Sequence, residues 1–195
     1  KPQTIRRPKA LALRMASLTH MVRDMIVAAF EKGTESETLR NWRAAFAQTL
    51  IQDLEKDEKL GDFADMFAQT IAYGLFFARV MDDTPEDFSM EEAKRLIPKS
   101  NPFLRNFFYQ ITSPDLQDEP FAGFISDLVD TLAATDMAKV LQDFGVQRKT
   151  RDPAFHFYET FLAEYDPKLR EARGVYYTPD PVVSYIVRSV DILLK

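Results

Sequence analysis

Apolar side chains recur along this chain at spacings of three and four residues, and almost nowhere at two. Between residues 8 and 32 they fall at Leu11, Leu18, Met21, Val22, Met25, Ile26 and Ala29, which predicts an amphipathic helix stopped by Gly33. Thr34 with Glu37 reads as a capping box for a second helix, whose apolar side continues through Leu39, Trp42, Ala45, Phe46, Thr49 and Leu50. The charge run over residues 53–59 closes that helix. Residues 63–81, "FADMFAQTIAYGLFFARVM", are apolar around most of the circumference, so they predict the central buried helix. Gly74 inside that run costs up to ~1 kcal/mol of helix propensity. A close helix crossing is the natural compensation.

The helical period persists to the end. Ser89 and Glu92 form another capping box, for a short helix that Pro98 ends. Asn101 and Pro102 read as cap and first position of a further helix carrying Phe103, Phe107, Phe108 and Tyr109. Helices follow over residues 119–133 and 136–144, the latter stopped by Gly145. After a basic turn, "QRKTRD", Pro153 opens a helix with Phe155, Tyr158, Phe161 and Leu162 on one side. Asp166-Pro167 breaks it. Beyond Pro181 a last helix shows a broad apolar face: Val182, Val183, Ile186, Val187, Val190, Leu193 and Leu194. No alternating run of β length interrupts the series. The expected fold is an all-α bundle of roughly eight to ten helices.

Composition narrows the class. The chain has 195 residues, room for one domain or a domain and a fraction. With 46% hydrophobic and 28% charged residues it can bury a core and is not disordered. A net charge of -5 argues against a generally basic nucleic-acid binder and leaves local patches open. Without cysteine there is no disulfide scaffold, no thiol nucleophile and no Cys-based zinc site, which suits the cytoplasm. No run approaches the ~20 apolar residues of a membrane span, and the N-terminus lacks a signal-peptide pattern. The chain opens on Lys1 rather than Met, as expected of a piece of a longer protein.

Most of the chemistry searched for is missing. The six glycines are scattered, so there is no phosphate-cradling loop. His20 and His156 make no zinc site between them, and no metal site is expected. Asp82, Asp83, Glu86 and Asp87 read as a solvated loop rather than a cation site. Glu92-Ala93-Lys94 has half of a nuclease-like carboxylate–lysine motif but no Pro-Asp before it. Asn101-Pro102-Phe103 lacks the second proline of an amino-methyltransferase tetrapeptide and opens a helix, so no catalytic residue is assigned.

One segment remains, "RGVYYTPDPVV" over residues 173–183. Gly174 permits backbone that other residues resist. Thr178 or Asp180 can cap the last helix, with Pro179 or Pro181 in its first turn. The helix start offers free N–H groups to a carboxylate or phosphate, and Tyr176 and Tyr177 offer an aromatic wall. The residues alone leave two readings open, a capped core helix or half of a binding site.

The longer stretch "FYETFLAEYDPKLREARGVYYTPDPVVSYIVRSVDILL" resembles the approach to the methyltransferase domain of adenine-specific (N6) DNA methyltransferases, of the single-chain restriction–modification kind (type ISP or type IIG/IIL). In that family a Gly-x-Tyr-(Tyr/Phe)-Thr-Pro segment precedes a helix, and both belong to the cofactor motif called motif X. "AQTIAYGLFFARV" and "RPKALALRMA" resemble the helical region before it. The resemblance implies that Gly174, Tyr176, Tyr177, Thr178 and Pro179 line part of a pocket for S-adenosylmethionine. It implies that residues 1–172 are a coupler-like helical connector and residues 173–195 the start of a methyltransferase domain. The family's catalytic tetrapeptide and its acidic, Gly-containing cofactor loop are absent and expected beyond Lys195. The implied partners are double-stranded DNA, an upstream nuclease or motor domain, and a downstream target-recognition domain. Candidate phosphate contacts are Lys1, Arg6, Arg7, Lys9 and Arg14, or Arg148, Lys149 and Arg151, against the alternative of solvated linker charge. The last helix, cut from its packing partner, is expected to be mobile, to self-associate or to fold back on the bundle. The alternative is a non-catalytic helical scaffold binding protein or nucleic acid.

Overall fold

A computed structural model describes residues 4–84, 88–98, 101–111, 114–145, 153–172 and 180–194. These residues form an all-α bundle, as the helical spacing predicts. Among them, β geometry is confined to one isolated bridge, Ile5 with Thr135.

Helix α1 (Pro8–Glu31) opens on proline, where the missing N–H costs nothing. Its end is set by Gly33 at φ 64°. There the Gly33 N–H donates to the Phe30 carbonyl at 3.1 Å and the Thr34 N–H to the Ala29 carbonyl at 2.9 Å. That pair of bonds is a Schellman motif, which needs a left-handed residue. The Thr34 hydroxyl also donates to the Ala29 carbonyl, so Thr34 finishes α1 and does not cap the next helix. The expected capping box is corrected: Ser36 caps α2 (Glu37–Thr49), its Oγ accepting from the Leu39 N–H at 3.0 Å.

Three apolar positions expected on buried faces are not buried. Met21 is 48% exposed, because the buried stripe of α1 runs through Leu11, Met15, Leu18, Val22 and Ile26. Thr49 and Leu50 are exposed because α2 stops there and the chain turns into two 3₁₀ turns, Gln52–Glu55 and Asp57–Lys59. Leu54 takes the core position instead. The first of these turns wraps Arg43, whose Nε donates to the Leu54 carbonyl at 2.7 Å and whose guanidinium also reaches the Lys56 carbonyl at 2.6 Å.

Helix α3 (Leu60–Val80) starts three residues before the expected Phe63. The remaining elements are α4 (Met90–Leu96), α5 (Pro102–Ile111), the single turn α6 (Pro114–Gln117), α7 (Ala122–Ala133), α8 (Met137–Gly145), α9 (Pro153–Tyr165), α10 (Pro167–Ala172) and α11 (Asp180–Leu194). Side-chain caps sit where the sequence puts them: Ser89 accepts from the Glu92 N–H at 3.2 Å, Asn101 from the Leu104 N–H at 3.0 Å. Helix α7 begins at Ala122, three residues after the expected 119, because Glu119 belongs to the turn before it.

Helices α1 and α3 share the centre. α3, α7 and α9 all pack on α1, while α3 also meets α4 and α7. Between α2, α3 and α5 lies an aromatic cluster. The Trp42 ring meets Phe107 edge-on at 4.6 Å, and Phe46 touches Phe63, Phe67, Phe103 and Phe107 at centroid distances of 5.2 to 5.9 Å. Such pairs add roughly 0.5–1.5 kcal/mol each beyond their buried area. Gly74 does mark a close approach, by a ring rather than a helix backbone. A β-carbon there would stand 2.5 Å from two ring atoms of Phe108, which is fully buried and has nowhere to go.

Candidate functional site

Gly174, Tyr176, Tyr177, Thr178 and Pro179 lie outside the described residues. What the structure describes is the frame on either side of them. Upstream is the end of α9. Tyr165 is 3% exposed, and its hydroxyl donates to Asp65 of α3. The other carboxylate oxygen of Asp65 accepts from Gln69 Nε2 at 2.7 Å. His20 of α1 sits with its ring centroid 4.3 Å from that of Tyr165, and its Nε2 lies 2.8 Å from the Tyr165 carbonyl. A carbonyl only accepts, so this nitrogen carries the proton. The bond satisfies one of the unpaired carbonyls at the end of α9. His20 is thus a helix-end partner, in keeping with the reading that it makes no zinc site. Burial first, and the bond to Asp65 second, push the Tyr165 phenol well above the usual tyrosine range.

Downstream is α11. It starts at Asp180 with Pro181 in its first turn, as the sequence predicts. Its side chains are not covered: Tyr185 is 73% exposed, Ile192 73% and Leu193 84%, and Ser189 alone among residues 182–193 is half-buried.

The amino-terminal basic residues are largely matched by acids. Arg6 lies 4.0 Å from Asp136 and Lys9 3.7 Å from Glu164. Arg14 shares a cavity wall with Asp127 and Asp130. Lys1, Arg148, Lys149 and Arg151 fall outside the described residues, as do Glu86 and Asp87 of the acidic loop. Within that loop Asp82 turns inward. Its Oδ2 lies 3.7 Å from Arg79, and its Oδ1 accepts from the Thr84 N–H at 2.9 Å. No group of three or more potential metal-ligating side chains occurs among the described residues.

Three side-chain positions carry weight that the spacing did not reveal. Arg79, 4% exposed, donates to the Leu132 and Thr135 carbonyls at 3.2 and 3.3 Å, a cation at the carboxyl end of α7. Burial lowers its pKa and the charge of Asp82 opposes that. Ser36 donates to Glu119, and Tyr165 reaches Asp65. The one signal in the sequence was a charge inside an apolar run, Arg79 in "LFFARV". The other two join residues 83 and 100 positions apart, which no local pattern registers. Finally, a surface groove of about 410 Å³ lies along α3, lined by Ile51, Asp65, Met66, Thr70, Tyr73 and Tyr158 among others.

No family model, no curated protein and no solved structure matches this chain. Among the described residues no helix is long and apolar enough to cross a membrane.

Proposed function

We propose that this chain is the helical connector and first methyltransferase segment of an S-adenosylmethionine-dependent DNA adenine-N6 methyltransferase of the restriction–modification kind. The observation that supports it most is a juxtaposition. The Tyr-Tyr-Thr-Pro stretch ends at Pro179, and a helix with an uncovered apolar surface begins at the next residue, Asp180. A helix so apolar is built to be buried against a further layer. Tyr176 and Tyr177 would wall the methionine end of the methyl donor, and Gly174 would shape the turn. The bound donor supplies the methyl group. The bundle's part is to hold this segment at a fixed place relative to an upstream domain, with the target adenine flipped out of the duplex. Acids beside Arg6, Lys9 and Arg14 leave little unmatched charge for phosphate, so strong DNA affinity is not assigned to that cluster.

Ultraviolet cross-linking of radiolabelled S-adenosylmethionine to the natural full-length protein, followed by peptide mapping, tests the reading. Label on Tyr176 or Tyr177, lost on changing both to alanine, is the expected result. Label recovered only from other peptides would leave the bundle as a non-catalytic scaffold.

A further inference from the structure

The outer face of α3 and the helix α11 are two uncovered apolar surfaces in the same chain. Along α3 the half-buried positions Met66, Thr70, Tyr73 and Phe77 recur at four, three and four residues and lead to Met81, 53% exposed. This is one continuous stripe on a helix otherwise buried. Ile51, 50% exposed, and Tyr158 border it and make it the wall of the 410 Å³ groove. Its polar groups are already used. Thr70 donates to the Met66 carbonyl at 2.7 Å, and Gln69 to Asp65. A surface with its hydrogen bonds spent internally loses little when covered.

Helix α11 has more apolar surface than one neighbour can cover. At 100° per residue, its exposed Val, Ile, Leu and Tyr side chains sweep an arc of roughly 220°, leaving a polar sector of Ser184, Arg188 and Asp191. Its 15 residues are about 22 Å long, the length of the stripe from residue 66 to 81. The connection also fits. Tyr165 holds the end of α9 on Asp65, next to Met66, so the chain leaves the bundle at one end of the stripe. The six residues of α10 add about 9 Å of helix, and the seven residues 173–179 span at most about 23 Å, enough for either end of the stripe.

We infer that α11 docks along this stripe of its own chain, one side of its arc in the α3 groove and the other left for a further layer. The helix and groove stand open in the structure, so docking is a closing movement about the segment after α9. The inference involves no methyl donor and stands or falls apart from the function proposed above.

The chain contains no cysteine, which makes disulfide trapping clean. Thr70→Cys is combined in turn with Val183→Cys, Ile186→Cys, Val187→Cys and Val190→Cys, and with Asp191→Cys as a polar-sector control. At least one of the first four pairs is expected to close an intramolecular disulfide at least ~10-fold faster than the control, because tethering gives a docked pair a high effective concentration. Five equally slow pairs overturn the inference, and so does a product that is a disulfide-linked dimer, which makes a second copy the occupant. In the unsubstituted chain, amides of residues 180–194 are expected to exchange at least ~10-fold more slowly than in the isolated peptide, which is marginally helical at best. Equal exchange rates overturn it too, whatever the folding of the variants.

Discussion

Tyr165 closes α9 with its ring stacked on Phe161 and tilted over His20, while its hydroxyl donates to Asp65 from 100 residues away. Its phenol is raised by burial and by that bond, so the neutral form favours the folded state. The sign follows from linkage. Below the pH of about 10 at which an unfolded tyrosine ionises, the contribution is whole; as pH rises above it, the unfolded state loses its proton first and stability drains away. Tyr165→Phe is expected to cost about 0.5–1.5 kcal/mol at neutral pH. Urea unfolding from roughly pH 8 to pH 11 should show the gap between the two proteins shrinking above pH ~10. A constant gap would mean that the hydroxyl is not held by Asp65. None of this was legible in sequence, where Tyr165 is one aromatic among many. Gly74 was legible, since a glycine inside an apolar helix needs a steric reason, and Phe108 supplies it.

At the level of single elements, caps separate local from tertiary effects. Asn101 serves only its own helix, so Asn101→Ala should cost about 1 kcal/mol. Ser36 caps α2 and also donates to Glu119, which is 8% exposed. Ser36→Ala removes the cap and strips a buried carboxylate of a donor, and the expected loss is larger, roughly 2–3 kcal/mol. Paired urea midpoints decide the matter, and equal losses would reduce Ser36 to a cap. The sequence placed most helices within three residues because proline, glycine and capping side chains act through neighbours along the chain. It chose Thr34 over Ser36 because both precede an acidic first turn. The choice was settled by how α1 ends, where Gly33 directs the Thr34 N–H and hydroxyl back to Ala29.

Across the whole molecule, buried residues from α1 to α9 form one connected core, and Trp42, 5% exposed, sits within it against Phe107. The tryptophan should therefore report the whole bundle. In urea its emission and the helical ellipticity at neutral pH are expected to share one midpoint, as two-state unfolding requires. Midpoints that separate would divide the bundle into independent units. The sequence by itself determined the helical class, the order of the helices and the position of α11, because periodicity, caps and breakers are local. It also supplied the Tyr-Tyr-Thr-Pro segment on which the functional proposal rests. Only the tertiary structure decided which acids meet the amino-terminal cations, why Arg79 is buried, and that α3 keeps one stripe open. Those outcomes depend on which surfaces approach each other across the core. A period of 3.6 residues shows that a face is apolar, and the neighbouring helices determine what covers it.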